Sequence, residues 1–275
     1  MRPSYISDSF LKQFIQSALR EDLGDGDHST LACIPQDSLS KAKLLVKEDG
    51  IIAGIELAKE IFHAFDGSLE IRINLKDGDN IKNGDIAFTV HGSSRSILTT
   101  ERLVLNCMQR MSGIATKTHR LKKLVEGTGV KLLDTRKTTP NFRLLEKWAV
   151  ATGGGENHRI GLYDMIMLKD NHIDMAGGIY AAINRTKDYL RAGKRDLRIE
   201  IETRNLKEVQ EVLDAGGVNV VMLDNMSIED MRKAVSMIGG KYKTEASGNI
   251  TEKTIRDVAE CGVDYISVGA LTHSL

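Results

Sequence analysis

Three stretches of the chain concentrate groups that bind small anions. Thr135-Arg136-Lys137-Thr138-Thr139-Pro140 is followed by Gly153-Gly154-Gly155-Glu156-Asn157-His158-Arg159 and then by Lys169-Asp170-Asn171-His172. Arg136 and Arg159 offer planar forks that take a carboxylate in bidentate fashion, whereas Lys137 and Lys169 are point charges suited to phosphate oxygens or to developing negative charge. His158 stands beside Arg159, whose charge is expected to depress its basicity, so that the imidazole donates a hydrogen bond while neutral. Such a cluster suits a small, multiply negative ligand. With 38 Lys and Arg against 38 Asp and Glu the whole chain has no net charge. The positive potential is therefore local, which argues against a general polyanion binder such as a nucleic-acid protein.

Carboxylates and small donors follow further along. Glu202, in Glu200-Ile201-Glu202, and Asp224, in Asp224-Asn225, end neighbouring strand-like runs and suit Mg²⁺, directly or through water, opposite a polyphosphate. Taken singly, each also reads as a solvated or helix-capping carboxylate. Ser247-Gly248-Asn249 precedes a helix expected to start near Thr251, and Gly269-Ala270 follows the last apolar run. Both places can turn backbone N–H groups or a helix N-terminus to a phosphate. An ordinary Ser/Asn turn with a helix cap fits the same residues.

These residues need a scaffold that brings them together, and the rhythm of the second part of the chain supplies one. Short apolar runs at 130–134, 165–168, 197–202, 218–224, 242–247 and 264–268 alternate with amphipathic segments. The last four start about 21 to 24 residues apart, the spacing of a strand, a helix and two short loops in a parallel α/β barrel. Six runs fall short of eight strands, so the expectation is an open, incomplete barrel or one closed by another segment. In such a barrel the strands' carboxyl ends share one face, and the charges collect there: cations on the first two ends, carboxylates on the next two, small donors on the last two. The Gly153-Gly154-Gly155 run follows a helix rather than a strand. It is therefore no dinucleotide fingerprint and reads as a loop freed to bend over the pocket.

The first part of the chain reads as an α/β sandwich. Phe10, Leu11, Phe14, Ile15, Ala18 and Leu19 recur at helical spacing, with Ser7 or Asp8 as cap and Gly24 as terminator. Residues 69–75 alternate as a half-buried strand between turns. From Thr99 to about Glu126 helical spacing returns, broken by Ser112-Gly113, which predicts a pair of helices. Arg102 lies in that segment, where an exposed arginine is the default reading. At 275 residues one or two domains are expected. No run approaches the roughly 20 apolar residues of a membrane span, and a soluble, cytoplasmic protein is expected. Cys33, Cys107 and Cys261 are odd in number and form no C-x-x-C pair, so no disulfide framework or structural zinc site is indicated, and Cys107 and Cys261 read as buried thiols.

At these residues the chain closely resembles the quinolinate phosphoribosyltransferase family. The resemblance runs from Glu21-Asp22-Leu23-Gly24-Asp25-Gly26-Asp27 through Glu101-Arg102-Leu103-Val104-Leu105-Asn106, Ser112-Gly113-Ile114-Ala115-Thr116 and the TRKTTP segment. It continues through Asn157-His158-Arg159-x-Gly161-Leu162-x-Asp164, Lys169-Asp170-Asn171-His172, Leu223-Asp224-Asn225, Glu245-Ala246-Ser247-Gly248-Asn249 and Ser267-Val268-Gly269-Ala270.

The resemblance implies an N-terminal α/β sandwich over residues 1–112, with a linker helix, and a C-terminal open α/β barrel over residues 113–275. It implies a head-to-tail homodimer or a higher assembly, in which Arg102 reaches the neighbouring subunit's site. Together with Thr135, Arg136, His158, Arg159 and Lys169, that arginine would bind quinolinate. Lys137, Glu202, Asp224, Ser247, Gly248, Asn249, Gly269 and His273 would hold phosphoribosyl pyrophosphate, with Glu202 and Asp224 at Mg²⁺. Lys137, Lys169, Glu202 and Asp224 would carry the catalytic roles.

Two departures stand out. Family members usually continue after the segment matching Gly269–His273 with a strand that returns to the first domain, and only Ser274 and Leu275 follow here; either the first domain lacks a strand or the chain is a shortened one. Position 141, often glycine in the family, is asparagine, which tolerates a positive φ. Rival readings are a relative of the same fold acting on another acid, and a non-catalytic anion-binding barrel.

Overall fold

The structure is a computed structural model that describes residues Arg2 to Ser274; Met1 and Leu275, the outer limits of the two expected domains, lie outside the described residues. The chain divides into two compact units. The first comprises residues up to His119 together with Thr138–Gly154, and the second comprises Arg120–Lys137 and Gly155–Ser274.

In the first unit α1 (Asp8–Leu23) starts where Ser7 Oγ accepts the Phe10 N–H and stops at Gly24, whose φ of 52° few other residues adopt. Helix α2 (His28–Cys33) is capped by Asp27. Strands β1 (Leu39–Leu45) and β2 (Gly50–Ile51) lead to α3 (Ile55–Phe65), then β3 (Glu70–Ile73), β4 (Asn80–Ile81) and β5 (Ile86–Ser93). Strands β1, β5 and β3 form an antiparallel sheet in that order, and Phe62 of α3 meets Phe88 of β5 edge-on. This is the mixed α/β unit expected.

The predicted helix pair is instead one helix, α4 (Ser94–Leu124). Ser112, one of the two presumed breakers, spends its hydroxyl outside the helix: Oγ accepts the Ala53 N–H at 3.0 Å and donates to Ala53 O at 3.1 Å. A lone Gly113 costs a helix only about 1 kcal/mol. Burial of Met111, Ile114 and Ala115 on either side outweighs that.

Helix α5 (Arg143–Thr152) ends at Gly153. Of the Gly153-Gly154-Gly155 run expected to free a loop, Gly153 does not do so, because it is buried and a Cβ on it would collide with the Ala115 carbonyl of α4, while Gly154 is exposed at φ 88°. The role of Gly153 is close packing. Asn141 does adopt a positive φ, 61°.

The second unit contains β6 (Lys131–Leu133), β7 (Ile166–Leu168), α6 (Asp170–Ala176), α7 (Ile179–Ala192), β8 (Ile199–Thr203), α8 (Leu206–Ala215), β9 (Val220–Asp224), α9 (Ile228–Ile238), β10 (Lys243–Ser247), α10 (Ile255–Ala259), β11 (Tyr265–Ser267) and α11 (Ala270–His273). Among the described residues its strands form one parallel sheet in the order β6-β11-β10-β9-β8-β7. Strands β6 and β7 are successive in the chain yet occupy opposite edges, so the barrel is open, as the six runs implied. All of β8 is buried. Its side chains alternate, with Ile199 and Ile201 on one face and Glu200 and Glu202 on the other. Helices α8 and α9 begin at side-chain caps from Asn205 and Ser227.

One expectation fails here. The helix after Ser247-Gly248-Asn249 begins at Ile255, not near Thr251, and is only five residues long. Thr251 and Thr254 instead close a turn through their hydroxyls. The Ser247–Asn249 loop therefore has no helix N-terminus directly behind it, and a phosphate there would meet loop N–H groups.

Candidate active site

Because the sheet is parallel, every carboxyl end faces the same way, and most of the singled-out residues meet there. On the acidic side two hydrogen-bonded groups span the ends of four strands. Lys169, at the end of β7, donates to Glu202 Oε2 of β8 at 3.3 Å. Ser247, ending β10, donates to Asp224 Oδ1 of β9 at 2.5 Å, and Asn225 Nδ2 donates to Asp224 Oδ2 at 2.7 Å. Burial raises the Glu202 carboxyl above its ordinary value; the Lys169 charge opposes this and the Asp224 charge adds to it. Two carboxylates that act on each other in this way favour a cation beside them.

The loop after β10 is built against the one after β9. Asn249 Nδ2 donates to Asn225 Oδ1 at 3.0 Å, and both asparagines adopt positive φ, 50° and 53°. Gly248, at φ 91°, lies so close to the Asn225 amide that a Cβ would overlap it. None of the described hydrogen bonds occupies the N–H groups of Gly248 and Asn249. At the neighbouring strand end, the space a Gly269 side chain would need is taken by Lys137 Cδ at 3.0 Å and His273 Nε2 at 3.2 Å. Thr272 Oγ1 donates to Lys137 O at 2.7 Å, tying the loop after β6 to the segment after β11.

The cationic side follows β6. Thr135 Oγ1 accepts the Lys137 N–H at 3.1 Å, a tight turn that fixes the spacing of Arg136 and Lys137. Asp134 is fully buried; it accepts Asn157 Nδ2 at 2.6 Å and the His158 N–H at 2.9 Å. Arg159 donates to Met165 O at 3.2 Å. Burial, with the nearby Arg136 charge, lowers the Arg159 guanidinium from its ordinary value. Arg102 is exposed on α4, in the first unit.

His158 corrects the sequence expectation. Burial alone pushes its imidazole down, but hydrogen bonds to Glu200 at 2.8 Å and to Glu245 at 3.4 Å, with their charges, reverse the sign and raise it to about 9. The two glutamates thus move the imidazole up rather than down, while burial and the Glu245 charge raise the Glu200 carboxyl to about 7. From the sequence, Glu200 and Glu245 have no role beyond their motifs, and Asp134 none beyond ending an apolar run. The signal was available in Ile199-Glu200-Ile201-Glu202, where a charge at the middle of an apolar alternation must face something inside.

A parallel half-barrel whose strand ends gather cations on one side and carboxylates on the other defines an anion-handling enzyme of the α/β-barrel class. Residues 27–112 match the family model described as quinolinate phosphoribosyl transferase, N-terminal domain, and residues 114–275 match its C-terminal domain. The chain belongs to the quinolinate phosphoribosyltransferase family. It is 46% identical to quinolinate phosphoribosyltransferase [decarboxylating] 1b of Nicotiana tabacum, covering 96% of this chain and 79% of that one. It is 39% identical to the probable nicotinate-nucleotide pyrophosphorylase [carboxylating] of Bacillus subtilis, covering 96% and 90%. NadC from Streptococcus pyogenes superposes with a TM-score of 0.92 at 40% identity, covering 98% of this chain and 94% of that one.

Proposed function

We propose that the chain transfers the phosphoribosyl group of phosphoribosyl pyrophosphate to quinolinate with loss of CO₂, giving nicotinate mononucleotide and pyrophosphate for NAD synthesis. The observation that supports this reading is that Arg136, His158 and Arg159 and the Lys169–Glu202 and Ser247–Asp224 pairs lie on the loops and strand ends at the carboxyl side of one parallel sheet. A pyridine diacid needs the first set. A ribosyl diphosphate needs the second.

In this reading Thr135, Arg136, His158, Arg159 and Lys169 enclose the two carboxylates and hold the pyridine nitrogen in line with the anomeric carbon. Glu202 and Asp224 hold the ribose hydroxyls and, as the C1–O bond breaks, stabilise the oxocarbenium-like centre. The N–H groups of Gly248, Asn249 and Gly269, with Ser247 and His273, take the 5-phosphate, and Lys137 neutralises the departing pyrophosphate. Once the ring nitrogen is quaternised, the carboxylate beside it leaves as CO₂, its bonding electrons remaining at the ring carbon beside the pyridinium until a proton arrives. The protein's part in that step is positioning and exclusion of water.

Mg²⁺ fits the donor set, since Glu202 and Asp224 are neighbouring oxygen ligands and Glu202 is raised by burial and by the Asp224 charge. When bound it supplies positive charge to the pyrophosphate oxygens. Arg102 completes the diacid cage from a second copy of the chain in a homodimer or higher assembly. Residues 1–112 and 113–275 serve as the N-terminal and catalytic domains. Among the described residues no helix is long and apolar enough to cross a membrane; a cytoplasmic location completes the reading.

The test is to supply quinolinate, phosphoribosyl pyrophosphate and Mg²⁺ and to measure nicotinate mononucleotide and CO₂, with nicotinate as control acceptor. Failure to form either product from quinolinate would refute the assignment.

A further inference from the structure

Asn225 follows Asp224 at the end of β9 and stands between two groups that the functional reading gives to different parts of one substrate. Its Nδ2 donates to Asp224 Oδ2 at 2.7 Å, and its Oδ1 accepts Asn249 Nδ2 at 3.0 Å. The main chain adds a third tie, because the Asn225 N–H donates to Ser247 O at 2.9 Å. One short residue therefore joins a carboxyl to the loop after β10.

That loop leaves room for the amide and little else. A Cβ added at Gly248 would overlap Oδ1 and Cγ of Asn225. Asn225 and Asn249 both have left-handed backbone, φ 53° and 50°, a conformation that few residues other than glycine, asparagine and aspartate adopt readily. Glycine at position 225 would supply no side chain, and aspartate would supply no N–H for Asp224. Asparagine accepts this backbone and can also donate on one side while accepting on the other.

Folding stability does not account for these ties. Both asparagines are exposed, and hydrogen bonds that water can replace add little to stability. What the side chain of Asn225 does is directional. One end meets the carboxyl of Asp224, and the other meets a loop whose N–H groups at Gly248 and Asn249 are occupied by none of the described hydrogen bonds.

We propose that Asn225 is a positioning residue that sets the span between Asp224 and the Ser247–Asn249 loop, and so matches the site to the distance between the ring hydroxyls and the 5-phosphate of a ribosyl phosphate. The proposal rests on the reading in which Asp224 holds the hydroxyls and the loop takes the phosphate. Fixing the span before the substrate arrives removes an ordering cost from binding. The consequence falls on one substrate: loss of the amide weakens the ribosyl diphosphate and spares the diacid.

The experiment uses the full chain with Asn225→Gly and Asn249→Gly, because glycine tolerates both left-handed positions. Asn225→Gly is expected to raise the KM for phosphoribosyl pyrophosphate about 10- to 30-fold and Asn249→Gly about 3- to 10-fold, while the quinolinate KM moves less than about 3-fold in either. Urea midpoints are expected to stay close to that of the unaltered protein. The double variant should resemble Asn225→Gly, since the second change removes a bond already lost. Equal rises in both KM values, an unmoved KM for phosphoribosyl pyrophosphate in Asn225→Gly, or losses that multiply in the double variant overturn the proposal.

Should Asn225→Gly fold poorly, Asn249→Gly decides alone, because it breaks the bond between the two asparagines and leaves the one to Asp224 in place. A rise confined to phosphoribosyl pyrophosphate supports the proposal, and an unmoved KM overturns it. Turnover of quinolinate by the unaltered protein is the separate control. Its absence would sink the functional reading, whereas an unmoved KM for phosphoribosyl pyrophosphate in variants of an active enzyme would sink only this inference.

Discussion

Lys169 and Glu202 meet at 3.3 Å across the ends of β7 and β8, where the cationic side of the pocket gives way to the acidic one. Each keeps the other's charge in place. The first expectation is therefore coupling: Lys169→Ala and Glu202→Gln each lower kcat/KM by about 10- to 100-fold, and the double variant loses less than the product of the two. A steady-state double-mutant cycle reads this, and strictly additive losses would show that the pair does not act together.

The proposed reading puts Arg136 on the diacid side. Its fork makes charge-assisted bonds to a carboxylate, so Arg136→Ala should weaken quinolinate binding on the order of 100-fold and leave phosphoribosyl pyrophosphate binding within a few-fold. Titration calorimetry with each substrate separately checks it. Equal losses would undo the division of the pocket into two halves.

The Ser247 hydroxyl locks Asp224 at 2.5 Å, and the loop behind it depends on Gly248. Ser247→Ala should raise the KM for phosphoribosyl pyrophosphate about 10-fold without moving that for quinolinate. Gly248→Ala should also cost about 1–3 kcal/mol of stability, because φ of 91° strains a Cβ that would press into Asn225. Urea denaturation with an unchanged midpoint for Gly248→Ala would contradict that loop geometry.

In the first unit Glu146 is wholly buried and accepts Arg110 Nε and Nη2, at 3.0 and 2.8 Å, together with the N–H and hydroxyl of Thr139. Glu146→Ala removes acceptors for all of these donors. Because Arg110 is partly exposed and can turn to water, the loss should be about 1–3 kcal/mol rather than the larger cost of a stranded buried charge. Chemical denaturation monitored through Trp148, which lies buried on the same helix, measures it.

His158 gives the protein a pH dependence whose sign follows from its neighbours. Glu200 and Glu245 meet it at Nε2 and Asp134 accepts its N–H, while burial and the Glu245 charge raise the Glu200 carboxyl itself to about 7. Its folded value of about 9 lies above the ordinary 6.5, so the native state binds the extra proton. That contribution to stability is full below about pH 6.5 and is lost as pH rises through about 9. The melting temperature should fall over this window, and His158→Gln should flatten the slope. An unchanged slope in the variant would place the titration elsewhere.

The six barrel strands were readable because each is a short apolar run ended by polar residues, a pattern local to a few positions. Helix α1 was readable at its end to the residue, Gly24, and at its start to Ser7 or Asp8, of which Ser7 is the cap, since such signals act on their own backbone. The interruption expected at Ser112-Gly113 was misread, because what overrides a local breaker is a distant partner, here the Ala53 backbone. Gly153 was misread in the same way: nothing beside it in the chain reveals that α4 comes too close for a Cβ.

Residue types and their order were sufficient to specify an open parallel barrel, the separation of cations from carboxylates along its strand ends, and the family to which the chain belongs. Protonation was not specified. Whether His158 is neutral or charged depends on two glutamates, 42 and 87 residues further on by their numbers, that only the sheet brings to the same ring. Electrostatic energy depends on distance through space and on burial, and neither is written in a neighbour such as Arg159.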